Sequence, residues 1–221
     1  MTPILYSLQN CPYAMRARYA IFKSRTSVLI RAIKLNNKPD ELLQASAKGT
    51  VPVLVIHDGA PEIGTEVIDE SLEIMLWALS SNDPDNLLMS NDSTALPKML
   101  AFIAEIERQL IPLSNAFSCA KRYHEDNMLE RREACEHYLQ ALEQRLRLNR
   151  YLFSDQETLA DIAVMPFIRK FARIDKQWFK HSSLTSLDAW LQRYLTCAEF
   201  SKVMKNYPLW LPERSDVYFG T

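Results

Sequence analysis

The chain has 221 residues, 48% of them hydrophobic and 24% charged, with a net charge of −1. That is enough for one large domain or two small ones with a real core, and a near-neutral balance without charged runs argues against nucleic acid or an anionic membrane as the main partner. No stretch approaches the roughly 20 apolar residues of a membrane span, and Met1 to Ile4 lack the charged start and long apolar core of a signal peptide.

In chain order, Ile4-Leu5-Tyr6-Ser7-Leu8 reads as a short apolar strand. Pro12 to Ser24 follows as a helix with Ala14, Ala17, Ile21 and Ser24 on one face. Val28 to Ile33 is β-rich, and Pro39 to Ala47 is a short helix turning Leu42, Leu43 and Ala45 inward. Val53 to Ile56 reads as a buried strand, Asp58-Gly59 as a hairpin turn and Glu66-Val67-Ile68 as the returning strand. Ser71 to Leu79 closes the unit as a helix with the stripe Leu72, Met75, Leu76 and Leu79. The order βαβ-ββα is the thioredoxin-like arrangement.

The polar stretch Ser80 to Asn86 marks a boundary. The predicted organisation is a first domain over 1–80, a linker over 81–94 and an all-helical bundle over 95–221. The fold class is thus α/β plus all-α, with no strand expected after Thr94. One stripe (Leu96, Met99, Leu100, Ile103, Ile106, Leu110) runs until Pro112 interrupts it. Cys135, Tyr138, Leu139, Leu142 and Leu146 make a second stripe, and Leu187, Trp190, Leu191 and Tyr194 a third. Thr158-Leu159-Ala160-Asp161 has capping-box spacing, with aspartate in place of Glu or Gln. Pro166 falls inside the helix that follows and is expected to kink it.

Chemistry concentrates in the first half. Cys11-Pro12-Tyr13-Ala14 lies between a strand and a helix, which puts a cysteine at a helix start. Orphan amides and the helix dipole there favour a thiolate, and Pro12 suits the first helical position. Ala14 stands where a dithiol redox motif has its second cysteine. Cys119, Cys135 and Cys197 fall in helical patterns and read as small hydrophobes. The wide cysteine spacing predicts no metal site and a reducing, cytoplasmic compartment. Pro52 in Val51-Pro52-Val53 belongs at a strand start. Glu70-Ser71 is either a helix cap or a holder for a carboxylate and an ammonium. Lys38 in Asn36-Asn37-Lys38-Pro39 is either solvated or a ligand for an anion.

Taken together, these motifs resemble the cytosolic glutathione transferases, most closely the omega class. The likeness runs through Cys11-Pro12-Tyr13-Ala14, Asn37-Lys38-Pro39, Val51-Pro52-Val53, Glu70-Ser71 and the Thr158–Asp161 box. Arg16 and Arg18 match basic positions after the cysteine motif. The resemblance implies glutathione as co-substrate, with Cys11 as the catalytic thiol. It also implies a cis Pro52 that presents the Val51 backbone to the cysteinyl unit. Glu70 and Ser71 would hold the γ-glutamyl end and Lys38 the glycine carboxylate, with Tyr13 beside the site. It implies thiol transfer, with dehydroascorbate reduction as a further activity, no metal, and a homodimer acting on a small electrophilic or disulfide substrate. The alternatives are a non-catalytic interaction module and a conjugating transferase using Tyr6, whose other reading is a core-facing strand residue. Candidate electrophile-pocket aromatics are Tyr13, Phe117, Tyr123 and Trp210. Arg169, Lys170 and Arg173 do not align with the family's pocket residues.

Overall fold

Strands Ile4–Ser7 (β1) and Val28–Ala32 (β2) pair in parallel, joined by helix Pro12–Lys23 (α1). A parallel pair needs such a crossover. In the computed structural model, which describes residues 1–57 and 64–220, Asp40–Ala45 (α2) leads into Val53–His57 (β3), antiparallel to β1. Thr65–Ile68 (β4) returns antiparallel to β3, and Ser71–Ser81 (α3) packs against α1. The βαβ-ββα order is therefore the one the pattern predicts. The Asp58-Gly59 turn lies outside the described residues.

Two details differ. α3 buries Ile74, Met75, Ala78 and Leu79, whereas Leu72 and Leu76 are only partly covered. Contact with α1 selects the face that also carries Ser71. In α2 only Leu42 is buried, and Leu43 is 47% exposed. Adjacent helical positions point about 100° apart, so so short a helix cannot turn both inward. Under α2 lies a cluster of Tyr6, Ile33, Leu42, Val51, Val53 and Val55, against which Cys11 packs.

The unit Asn86–Ala198 is helical throughout its regular structure. It holds Ala95–Arg108 (α4), Leu110–Tyr123 (α5), Met128–Leu148 (α6), Leu159–Ala172 (α7), Lys176–His181 (α8) and Thr185–Thr196 (α9). The first stripe breaks at Gln109 rather than at Pro112. Pro112 sits in the first turn of α5, where its missing N–H has no partner to lose. Every residue from Leu159 to Ile168 is buried, and the Thr158–Asp161 capping box forms as its spacing predicts. Pro166 lies inside α7. Glu143 of α6, fully buried, accepts the amides of Ser186 (3.2 Å) and Leu187 (2.8 Å) and so caps α9 across the bundle. Of the three cysteines here, only Cys135 behaves as a small hydrophobe, and burial pushes its thiol up to about 11. Cys119 is exposed and Cys197 half-buried, contrary to the expectation for both.

The chain's last segment corrects the expected boundary at 221. Glu199–Thr221 belongs with Met1–Asp85, so the helical unit ends at Ala198. Ala198–Val203 (α10) and Trp210–Glu213 (α11) lead to Tyr218–Phe219 (β5), which pairs antiparallel with β2. The sheet order is β4-β3-β1-β2-β5. A strand of two residues leaves no alternation to read, which is why none was expected after Thr94. Trp210 is buried under the guanidiniums of Arg31 (3.9 Å to the ring centroid) and Arg214 (4.9 Å). Arg214 also pairs with Glu41 at 2.6 Å.

Candidate functional site

Cys11 is the N-cap residue of α1, with extended backbone and Pro12 next in the helix. Its amide donates to Leu8 O (3.2 Å) and its carbonyl accepts from Met15 N (2.8 Å). The side chain is half-buried, and Sγ lies 3.7 Å from the carbonyl oxygen of Val51. The Val51–Pro52 bond is cis. The motif cysteine and the residue before the cis proline, 40 residues apart in sequence, are thus brought together.

The segment from Ser46 to Pro52 connects the remaining candidates. Ser46 Oγ donates to Asp69 at 2.8 Å, and Lys48 Nζ pairs with Asp69 (3.0 Å) and Glu70 (2.5 Å). Hydrogen bonds from Ser46 and then Lys48 hold the Asp69 carboxyl below its ordinary range, and the Glu70 carboxylate raises Lys48. Gly49, at φ +57°, turns the loop, and a Cβ there would lie 3.5 Å from Lys38 Nζ. Lys38 therefore folds over this loop. Glu70 caps α3 through its backbone, its side chain making no cap hydrogen bond. Ser71 is buried and accepts from Arg16 Nε at 2.9 Å, which leaves its hydroxyl hydrogen to donate elsewhere. Tyr13 is 38% exposed, with the Arg16 guanidinium 5.3 Å from its ring. One thiol, two lysines and one exposed carboxylate so meet at a single loop, with the buried Ser71 hydroxyl next to Glu70 in sequence. That is a set able to hold a small zwitterion beside a nucleophile.

Other candidates fall elsewhere. Tyr6 is a core residue, 2% exposed, whose hydroxyl accepts from Arg31 at 2.7 Å. Phe117 is buried against Phe171, Tyr123 is 68% exposed on α5, and Trp210 is held within the last segment. In α7, burial and then neighbouring Arg173 lower Arg169, and Lys170 donates to Asn115 at 2.7 Å. Pattern reading missed Lys48, whose only signal was its place three residues before Val51. It also passed over the partners of Arg16 and Arg18, which a sequence does not display. Among the described residues no His, Cys, Asp or Glu cluster could hold a metal ion, and no helix is long and apolar enough to cross a membrane.

Residues 5–86 match the glutathione S-transferase N-terminal domain and residues 96–196 the glutathione S-transferase C-terminal domain. A Pseudomonas putida glutathione transferase, solved with one glutathione disulfide per subunit, is similar with a TM-score of 0.79 at 16% identity. The alignment covers 94% of this chain and 92% of that one. A Pseudomonas fluorescens pf-5 family member, solved with two glutathione bound, has a TM-score of 0.78 at 15% identity, with 92% of each chain covered. Glutathione transferase Omega 2C from Trametes versicolor gives 0.71 at 20% identity, over 91% of this chain and 92% of that one. No curated protein matches the sequence.

Proposed function

Given that this chain belongs to the glutathione S-transferase family and is a glutathione transferase, we propose that it works as a cysteine-type, omega-like thiol transferase with Cys11 as nucleophile. Glutathione is its co-substrate. The observation that carries this reading is a helix-start thiol set against the Val51 carbonyl, with Ala14 in place of a second motif cysteine. The first unit holds no other cysteine. The Cys11 thiolate attacks the glutathionyl sulfur of a mixed disulfide. A Cys11–glutathione disulfide forms and the substrate leaves as its thiolate. A second glutathione thiolate then attacks the glutathionyl sulfur of that adduct, yielding glutathione disulfide and regenerating Cys11. The Val51 backbone beside Pro52 meets the cysteinyl unit, with Tyr13 alongside. Glu70 and Ser71 take the γ-glutamyl ammonium and carboxylate, and Lys38 takes the glycine carboxylate. Dehydroascorbate as a second substrate, a homodimeric state and a cytoplasmic setting complete the proposal. The omega-like motifs support the first two, and the wide spacing of the four cysteines in the sequence supports the last.

Incubation with glutathione disulfide should add one glutathione, mapped to Cys11 by digestion and removed by reduced glutathione. An internal disulfide to Cys119, Cys135 or Cys197 would refute the monothiol route. No adduct on an accessible thiol would favour an interaction module. Glu70→Ala and Lys38→Ala should each weaken glutathione binding about fivefold by calorimetry, the order expected of solvent-accessible charge pairs. Unchanged affinity in both would return these residues to the ordinary surface.

A further inference from the structure

Arg18 is one of the largest fully buried side chains in the protein, at 2% exposure, and none of its hydrogen-bond partners is a carboxylate. Nη1 donates to Ser7 Oγ (2.5 Å) and Leu8 O (3.2 Å). Nη2 donates to Gln9 O (2.7 Å) and lies 3.8 Å from Met204 Sδ. Nε donates to Val203 O (3.0 Å). Neutral acceptors satisfy the donors of a guanidinium, but they do not offset the loss of hydration of its charge. Burial accordingly pushes Arg18 down to about 10, with Cys11 and then Tyr207 acting in the opposite direction. These two are the titratable groups that face it, from the start of α1 and from the last segment. Burial raises the Tyr207 phenol. Leu8 O accepts from both the Arg18 guanidinium and the Cys11 amide, so the cation and the Cys11 backbone hang from one carbonyl.

We propose that Arg18 is the positioning residue of Cys11, clamping the Ser7–Cys11 turn against Val203 and Met204 while its charge faces the Cys11 thiolate. This rests on the reading of Cys11 as nucleophile. The planar guanidinium suits both tasks, since it reaches several acceptors at once and stays charged when buried. Lysine supplies the charge without the fork. Gln9 Nε2, which donates to Met204 O at 3.0 Å, ties the same turn to the same segment.

The test is iodoacetamide alkylation of the full chain, mapped to Cys11, near neutrality and at about pH 10, where model thiols are ionised. Arg18→Met and Arg18→Lys are compared with wild type. In Arg18→Met the ratio of the neutral to the alkaline rate should fall by about tenfold, the effect of removing one close opposite charge. Arg18→Lys should restore most of that ratio while melting below wild type. An unchanged ratio in a cooperatively folded Arg18→Met protein overturns the proposal, as does an equal loss of rate at both pH values in Arg18→Lys. Cys11→Ser supplies a measurement that does not need an Arg18 variant to fold. Wild type should gain thermal stability over Cys11→Ser as pH rises towards the ordinary thiol value of about 8.5, because a thiolate facing a buried cation favours the native state. A flat or falling difference overturns the proposal. Iodoacetamide needs no glutathione, so failure here and failure to bind glutathione are separately visible.

Discussion

Asp161 accepts four hydrogen bonds in a position with no solvent contact: from Leu152 N (2.9 Å), Thr158 N (3.0 Å), Thr158 Oγ1 (2.6 Å) and Trp190 Nε1 (3.0 Å). Burial pushes its carboxyl up to about 6, against the pull of these donors. From the ordinary carboxylate range to about pH 6 the native state thus holds this proton more tightly than the unfolded chain. The contribution of Asp161 to stability therefore falls as pH rises through that window. Asp161→Ala strands four buried donors and should cost about 3–5 kcal/mol in denaturant melts. Against Asp161→Asn, the wild type's advantage should be widest near the low end of the window and narrow as pH approaches 7. The box itself was legible, because Thr158 and Asp161 are three residues apart in sequence. The bond from Trp190 was not, since it joins residues 29 apart and depends on the packing of α9 on α7.

At the scale of elements, β5 depends on a single residue. Gly220 has φ +104°, and a Cβ there would lie 1.9 Å from the backbone oxygen of Thr26. An L side chain would meet both a disfavoured backbone region and a rigid neighbour. Gly220→Ala should therefore detach β5 and lower stability by roughly 1–3 kcal/mol, the usual range for such strain. Calorimetry checks the loss, and faster amide exchange at Ile30, whose N–H donates to Val217 O, locates it, while Leu29, which donates to Pro3 O, should stay protected. Elements with several turns or clear alternation (β1, α1, β3, α4, α9) were readable from spacing. Those held by remote partners were not. α11 stays in place through Trp210 beneath two arginines and the Arg214–Glu41 pair, and none of those contacts leaves a local pattern. The start of α5 shows the converse, a local rule applied at the wrong residue, since a proline in a first turn permits the helix it would break elsewhere.

Over the whole molecule, the first unit is assembled from both ends of the chain. The motifs of its candidate site were legible because each is contiguous (Cys11 to Ala14, Val51 to Val53, Glu70 to Ser71), whereas Lys48, which pairs with Glu70 across the loop, was not. What spacing could not supply was the closing of that unit by Glu199–Thr221, for nothing local ties Val203 to Arg18 or Tyr218 to Leu29. Ending the chain at Ala198 should consequently lower the melting temperature of the first unit and slow alkylation of Cys11, although every motif residue remains. Retention of both would mean that the Cys11 turn needs no support from the chain's end.

The pairing of β5 with β2 also bears on self-association. Val28-Leu29-Ile30 is an apolar run at what would otherwise be the rim of the sheet, covered by the two residues of β5 and by the Val217 carbonyl that accepts from Ile30. An uncovered rim offers a ready template for strands of other molecules. Species that have shed Tyr218 and Phe219, whether clipped by a protease or displaced by a bulky C-terminal fusion, should cloud on concentration while the intact chain stays clear. Light scattering before and after carboxypeptidase treatment would show it.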